Sequence, residues 1–250
     1  SGNRRSSPFV DYWNNVAFVG ANDGVLYAIG PVFGRTETLS VLGSVTVNSG
    51  RILTSPVMDP NENRIFISDG STLYSYLVTY NSSTVSFSDP SSRKISDDTE
   101  AVQDAALVDI DRKRVFWFAR KTGTSGYSGA RVFETDYTFS VVNSAQIGQG
   151  SDTVIRAGAF DDVHYELSGK GGQLHVCGKL RVDDQDYPRL YTFGFDGNGN
   201  WQTTNPYINV IANSAGECSP LTTFKSDKDR LFLGFSGTAE IQMWELPIGS

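Results

Sequence analysis

The sequence predicts an all-β protein built from about five repeated sheets, and three observations predict it. A short motif recurs along the chain, with copies that start 48, 50, 52 and 62 residues apart. Strand-length apolar runs follow each copy, and Gly or Pro interrupts any stretch with helical spacing. The chain is also rich in Phe (15), Tyr (11) and Gly (25), a balance that suits pleated strands joined by tight turns.

The recurring motif is a small residue or Pro, then an apolar pair, then usually Asp. Its five copies begin at Ser7, Ser55, Ala105, Ala157 and Ser219. Small residues suit a first strand that is crowded near a central axis, and Pro can begin such a strand because its missing N–H falls outside the ladder. The Asp at the end of the strand is expected to hold a turn by accepting a backbone N–H two residues on. Four copies carry it: Asp11, Asp59, Asp109 and Asp161.

Each motif leads through a polar turn into a second apolar run, and then into a third run with a central aromatic residue. The second runs are 16–19, 64–67, 115–118, 174–177 and 231–234, and the third are 25–29, 72–76, 131–134, 189–193 and 241–244. More variable fourth runs include 43–47 and 208–211. Sets of four strands that recur about every 40 to 60 residues are typical of β-propeller blades, whereas the strands of a β-sandwich would not repeat in fours.

We therefore predict a single β-propeller domain with about five blades of four antiparallel strands. The predicted blades are 7–54, 55–104, 105–156, 157–218 and 219–250. Because the third run of the last blade is followed by only a few residues, that blade is expected either to have three strands or to gain a short piece from the N-terminal residues. The domain could also be part of a larger propeller protein.

The charge balance excludes two classes of partner. The net charge is −7, whereas binding to nucleic acid or to anionic lipid needs clustered Lys and Arg. No stretch is long and apolar enough to cross a bilayer. We therefore expect neither a nucleic-acid partner nor membrane insertion.

Several segments carry a resemblance to known propellers. Residues 21–29 (ANDGVLYAI) resemble the GxxDGxLYAL blade repeat of the quinoprotein-dehydrogenase-like propellers. Residues 53–59, 158–161, 174–178 and 218–222 make the whole chain similar to a group of secreted bacterial propeller proteins. The resemblance implies the propeller fold and secretion. The tryptophan-docking repeat that seals quinone-cofactor propellers is absent, so no cofactor is expected.

The cysteine count alone leaves a disulfide and two free thiols equally open. In a propeller, the first strands begin on one face, here called the upper face, where the loops between second and third strands also lie. Cys177 ends the second strand of blade four and Cys218 directly precedes the first strand of blade five, so both are expected on the upper face. We therefore predict a Cys177–Cys218 bridge, which persists in an oxidising compartment and indicates an extracellular or periplasmic protein.

Catalytic and metal-binding patterns are weak. The four repeated Asp residues are expected on the lower face, at wide mutual angles, as turn caps rather than as a converging catalytic pair. His164 and His175 are the only histidines, no Gly-x-Ser-x-Gly elbow accompanies them, and a zinc site would need more ligands. We assign no catalytic residue and no metal ligand.

The upper face is the predicted binding surface, because its long loops, 120–128 and 179–188, stand on a rigid scaffold. Asp104 and Arg156 each precede a first strand, in neighbouring blades, and are expected to lie close together. The candidate ligand-binding residues are Asp104, Tyr127, Arg156, Asp183, Asp184, Asp186 and Tyr187.

The functional prediction is a non-catalytic extracellular interaction module that binds a protein or a glycan, with acidic loops that favour a cationic ligand. One alternative is a carbohydrate-active hydrolase or lyase that uses carboxylates of the upper face. Another is a structural segment of a larger extracellular protein.

Overall fold

The structure is a computed structural model that describes residues 6–34, 38–95, 100–121, 129–148, 154–183, 185–214 and 216–249. For residues 181, 182 and 186 it describes the backbone alone. Twenty strands and one short helix lie in these ranges. Within the same ranges, no helix has the length and apolar character that crossing a membrane requires.

The strands form five antiparallel sheets, which follow one another in chain order. The first contains β1 (Phe9–Asp11), β2 (Val16–Gly20), β3 (Val25–Gly30) and β4 (Ser40–Thr46). The second contains β5 (Val57–Asp59), β6 (Arg64–Ser68), β7 (Thr72–Tyr80) and β8 (Val85–Lys94). The third contains β9 (Glu100–Val102), β10 (Leu107–Asp109), β11 (Arg114–Lys121), β12 (Arg131–Asp136) and β13 (Val141–Gln146). The fourth contains β14 (Ala159–Phe160), β15 (Gln173–Val182), β16 (Gln185–Gly194) and β17 (Tyr207–Val210), with helix α1 (Asp162–Glu166) after β14. The fifth contains β18 (Thr222–Lys225), β19 (Asp229–Phe235) and β20 (Glu240–Glu245).

Each sheet packs face to face on the next one in the chain. Phe18 of the first sheet shares a buried cluster with Ile65 of the second, and Phe66 of the second shares another with Trp117 of the third. The corresponding pairs at the last two contacts are Phe116 with Phe193 and Leu190 with Leu233. Since neighbouring residues of a strand point to opposite faces, Ile65 and Phe66 show that the second sheet is buried on both sides. This sequential packing is the arrangement of propeller blades, and it differs from the two sheets of a sandwich.

The first strand of each sheet begins close to the small residue or Pro that the motif predicts there. β1, β5, β10 and β14 start directly after Pro8, Pro56, Ala106 and Gly158, and β18 starts two residues after Pro220. Gly158 shows the crowding most clearly, because a Cβ atom built on it would lie 2.3 Å from the backbone oxygen of His175. The small residue therefore permits a close approach of two backbones.

The fifth sheet differs from the other four in its outer edge. In the first four sheets a fourth strand pairs with the third, whereas within the described residues β20 is the last strand of its sheet. Ile241 and Met243 of β20 are consequently 80% and 57% exposed. The expectation of a three-stranded last blade agrees with this arrangement.

The third sheet gains a strand that the repeat does not predict. β9 lies before the predicted blade boundary at residue 105, yet it pairs with β11, where Ala101 is opposite Arg120. The pairing is available because β11 continues to Lys121, beyond the Leu107–Phe116 pair at which its contact with β10 ends. β9 thereby fixes the segment between the second and third sheets on the upper face.

Candidate functional site

A cleft of about 390 Å³ opens on the upper face between the second and third sheets. Three segments line it: 51–54 before β5, 69–71 between β6 and β7, and 100–103 along β9. These are the starts of first strands and a loop between second and third strands, which the propeller geometry places on one face. The cleft is therefore built on the ends of rigid strands.

The acidic wall of the cleft is held by hydrogen bonds to Asp69. One carboxylate oxygen accepts the backbone N–H groups of Ser71 and Thr72 at 2.9 and 2.8 Å. The other accepts the Asn48 amide at 2.6 Å and the Tyr74 hydroxyl at 3.1 Å. Burial alone would raise the pKa of Asp69, but the hydrogen bonds to Asn48, Ser71 and Thr72 outweigh it and hold the pKa below its usual value. Asp69 is therefore a fixed anion.

The second carboxylate of the cleft, Glu100, is buried and paired. Its Oε2 atom lies 2.7 Å from Nη2 of Arg131, which projects from β12. Because β9 carries Glu100 and pairs with β11, the ion pair ties the cleft wall to the centre of the third sheet. Glu100 is thus part of the scaffold of the cleft.

Gln103 gives the cleft an unsatisfied polar atom. Its Oε1 atom is buried and has no hydrogen-bond partner within the described residues. A buried acceptor without a donor costs free energy, and a ligand that supplies an N–H or O–H recovers it. At the rim, Ile52 is 66% exposed and Arg51 is exposed, while Leu53 is buried beneath them. The cleft therefore combines one apolar and one cationic side chain at its rim with an unpartnered acceptor on a lining residue.

The structure brings the predicted pair Asp104 and Arg156 to neighbouring positions through the backbone. The Asp104 carboxylate accepts the N–H of Ala157, the residue after Arg156, at 3.2 Å, and that of Ala105 at 2.9 Å. Arg156 also lines a shallow depression beside Cys177 and Cys218. Asp104 thus joins the segments that precede β10 and β14.

The predicted disulfide is confirmed. Cys177 of β15 and Cys218 before β18 form a bridge whose Cα atoms are 6.4 Å apart. Both residues are buried in the cluster between the fourth and fifth sheets. The bridge therefore crosses the contact of two successive sheets.

The remaining candidates belong to the β15–β16 hairpin or lie outside the described residues. Asp183 is exposed at the tip of the hairpin. Tyr187 donates its hydroxyl to Oε1 of Gln185 at 3.1 Å, and the Arg189 guanidinium lies 5.6 Å from its ring centre. Tyr127, Asp184 and the side chain of Asp186 lie outside the described residues. The described candidate ligand-binding residues therefore lie in two places: Asp183 and Tyr187 on this hairpin, and Asp104 and Arg156 in the segments before β10 and β14.

Asp11, Asp59 and Asp109 are turn caps on the lower face, as the sequence predicts, whereas Asp161 accepts the N–H of His164 as the N-cap of helix α1. The three turn caps have a second role. Asp11, for example, accepts the backbone N–H groups of Trp13 and Asn14 at 3.0 and 3.2 Å. It also accepts the hydroxyl of Tyr80 from the second sheet at 2.6 Å. The equivalent contacts are Asp59 with the Tyr137 hydroxyl at 2.7 Å and Asp109 with Nε2 of His164 at 3.1 Å. Three of the caps therefore also tie successive sheets together.

Sequence reasoning missed a larger cavity on the lower face. It measures about 520 Å³ and lies between the first and second sheets, and the exposed Tyr12 and Trp13 directly precede its lining residue Asn14 in the chain. The available signal was the composition of the first turn. Two adjacent aromatic residues follow Asp11, where a polar turn is expected.

Comparisons with known proteins do not identify a family. No family model and no curated protein matches the chain. Among solved structures, BamB from Moraxella catarrhalis is 13% identical with a TM-score of 0.37, covering 96% of this chain and 85% of that one. The Swd1 β-propeller domain of Myceliophteria thermophila is 8% identical with a TM-score of 0.44, covering 97% and 84%. Lignostilbene dioxygenase from Pseudomonas brassicacearum is 11% identical with a TM-score of 0.47, covering 98% and 60%.

At these identities and TM-scores the likenesses carry no functional argument. The fold itself rests on the packing of the five sheets, which defines an all-β protein with propeller-like blades.

Proposed function

We propose that this chain is a non-catalytic extracellular module that binds a segment of another protein in the cleft between the second and third sheets. The observation that carries the proposal is that Gln103, which lines a cleft with fixed walls, has a buried Oε1 atom without a hydrogen-bond partner among the described residues. A volume of about 390 Å³ is in the range of small ligand pockets, so it holds an anchoring side chain rather than a whole surface.

The chemistry of the cleft favours a basic anchor. Gln103 offers an acceptor, and Asp69 adds a negative charge held by fixed hydrogen bonds. A Lys or Arg side chain has an apolar stem for Ile52 and a donor for Gln103. The exposed Ile52 then extends the contact along the partner chain, as apolar groups around an anchor commonly do.

The extracellular part of the proposal is supported by the Cys177–Cys218 disulfide. The bridge joins two cysteines that are 41 residues apart in the sequence. Such bonds form and persist in oxidising compartments and are rare in the cytosol. In the chain-entropy relation, a loop of this length contributes about 4 kcal/mol to stability.

Selection of random displayed peptides on the immobilised, disulfide-intact protein tests the proposal. We expect enrichment of sequences with a basic residue beside apolar ones. Ile52→Ser and Gln103→Met should abolish their binding, because they remove the rim contact and the acceptor. Gln103→Glu should strengthen it, because it places a negative charge opposite the basic anchor.

The matched control is Ile241→Ser, which makes the same change at an exposed position of β20, outside the cleft. Peptide binding should be unaffected by it. Absence of enrichment, or equal binding to the Ile52→Ser and Ile241→Ser variants, would refute the proposed function.

A carbohydrate-active hydrolase is a second candidate, because Asp69 and Glu100 both line the cleft. The local chemistry supports it less well. Glycoside hydrolysis needs one carboxyl group with a raised pKa as the general acid. The pKa of Asp69 is lowered, and Glu100 is ion-paired with Arg131. Release of reducing sugar that is abolished by Asp69→Asn would favour this candidate over the binding module.

A further inference from the structure

The cavity on the lower face is a groove between the first and second sheets. Its walls are the turn at 14–16 and the hairpin at 80–83, and Pro31, Ser40 and Leu42 complete one side. The groove of about 520 Å³ is separate from the upper-face cleft, since the turns between first and second strands lie at the opposite ends of the sheets.

Three exposed aromatic residues are close in the chain to the lining of the groove: Tyr12 and Trp13 precede Asn14, and Phe33 follows Pro31. Trp13 is 92% exposed, Tyr12 73% and Phe33 53%. The rings of Tyr12 and Phe33 stack with centroids 5.1 Å apart and planes at 15°. Large aromatic side chains contribute strongly when they are buried, so a cluster left in water on a soluble protein marks a contact surface.

The turn that carries these rings is fixed by hydrogen bonds. Asp11 accepts the backbone N–H of Trp13 at 3.0 Å. The side-chain oxygen of Asn15 accepts the N–H groups of Val32 and Phe33 at 2.8 and 2.6 Å. Asn15 has a positive φ of 58°, a conformation that Asn adopts more readily than most residues. The backbone segments that carry these rings are therefore held in one arrangement.

The lining of the groove indicates the class of ligand. None of the eleven residues that line it is charged, although charged residues make up 20% of the chain. The exposed side chains of Asn81, Ser82 and Ser83 offer amide and hydroxyl groups along one edge. An uncharged ligand with many hydroxyl groups and apolar ring faces matches both the amide and hydroxyl groups of this edge and the exposed aromatic residues.

We propose that this groove binds a neutral oligosaccharide. The apolar face of a sugar ring lies on Trp13, and neighbouring hydroxyls bond to the edge at 81–83. A basic or acidic polymer would find no opposite charge among the described residues of the lining. The proposal is independent of the peptide site on the upper face, because it uses other residues on the other face.

Tryptophan fluorescence of the intact protein gives a direct test. The other three Trp residues are less accessible, since Trp117 and Trp201 are buried and Trp244 is half-buried. Quenching by acrylamide therefore reports mainly on Trp13. The probes are hexasaccharides of β-1,4-glucose, β-1,4-N-acetylglucosamine, β-1,3-glucose and α-1,4-glucose, each titrated to about 10 mM.

We expect at least one of these sugars to protect Trp13 from quenching and to bind in calorimetry. Trp13→Ala should raise the calorimetric Kd at least about tenfold. Trp13→Tyr should restore part of the affinity, because it keeps a ring. Asn81→Ala should weaken binding by a smaller factor, about threefold.

Phe224→Ala is the matched control, since Phe224 is an aromatic side chain in the fifth sheet that is 59% exposed. Its Kd should equal that of the unmodified protein. Binding of none of the four sugars, unchanged affinity of Trp13→Ala, or preference for a charged oligogalacturonate over all neutral probes would each overturn the proposal.

Discussion

His175 makes the stability of this protein sensitive to moderate acid. The side chain lies in β15 and is 0% exposed. Its Nδ1 atom is 3.0 Å from Oγ1 of Thr192, while Nε2 is buried without a partner within the described residues. When Nδ1–H donates to Thr192, Nε2 is an acceptor without a donor. A buried acceptor without a partner costs less free energy than a buried N–H donor without one. Burial lowers the pKa of His175 from 6.5 to about 3.

The sign and size of the effect follow from proton linkage. Below pH 6.5 the unfolded chain binds a proton at this histidine and the folded protein does not, so stability falls as pH falls from about 6.5 to about 3. The lowering of the pKa from 6.5 to about 3 corresponds to about 5 kcal/mol of stability in full, of which about 2 kcal/mol is lost by pH 5.

Urea unfolding at pH 7, 6 and 5 measures this loss, with His175→Gln as the comparison. Gln can still donate to Thr192 but does not titrate, so the unmodified protein should lose about 2 kcal/mol more than the variant between pH 7 and pH 5. Burial raises the pKa values of Glu134 and Asp161, which act with the opposite sign. Both are present in both proteins and cancel in the difference.

Parallel pH dependence of the two proteins would refute the reasoning. If the variant does not fold, proton NMR of the unmodified protein gives the same answer. The chain has two histidines, and His164→Gln assigns their resonances. The imidazole signal of His175 should not shift between pH 8 and about pH 4, and a midpoint near 6.5 would contradict the buried neutral state.

Two further predictions concern the framework. Gly158→Ala should destabilise the protein by about 1–3 kcal/mol, because the new Cβ would lie 2.3 Å from the His175 carbonyl oxygen. Gly194→Ala, which meets nothing within 4 Å, should change stability by less than about 0.5 kcal/mol in the same urea titration. Replacing both Cys177 and Cys218 with Ser should cost about 4 kcal/mol. Thiol titration of the denatured, unreduced protein should find no free sulfhydryl, and two reactive thiols would contradict the bridge.

The repeat predicted the parts of the fold that depend on local pattern. Apolar runs at strand length located β2, β6, β11, β15 and β19, because sheets buried on both faces leave continuous apolar stretches. The outer strands were harder to predict. β8, for example, is largely exposed, so its residues carry no apolar signal. β9 depends on an extension of β11 that only the tertiary pairing reveals.

The site was less predictable than the fold. Capping by Asp59 follows from turn chemistry, but its contact with Tyr137 joins residues 78 positions apart and has no local signature. The cleft likewise brings together 51–54, 69–71 and 100–103, whose charged members Arg51, Asp69 and Glu100 share no motif or spacing that would group them in the sequence. Gln103 matters through its missing partner, which no composition or spacing can show.

The Asp contacts on the lower face limit how such a chain can be recombined. Asp11, Asp59 and Asp109 each cap a turn in one sheet. Each is also hydrogen-bonded to the following sheet, through a Tyr hydroxyl in the first two cases and a His ring nitrogen in the third. If one sheet were moved alone into another protein, its Asp would lose the Tyr or His of the following sheet. Its own Tyr or His would lose the Asp of the preceding sheet. The smallest exchangeable piece is therefore a junction of two sheets. In an engineered or evolving array, crossover points that keep each acid with the ring of the following sheet preserve these contacts.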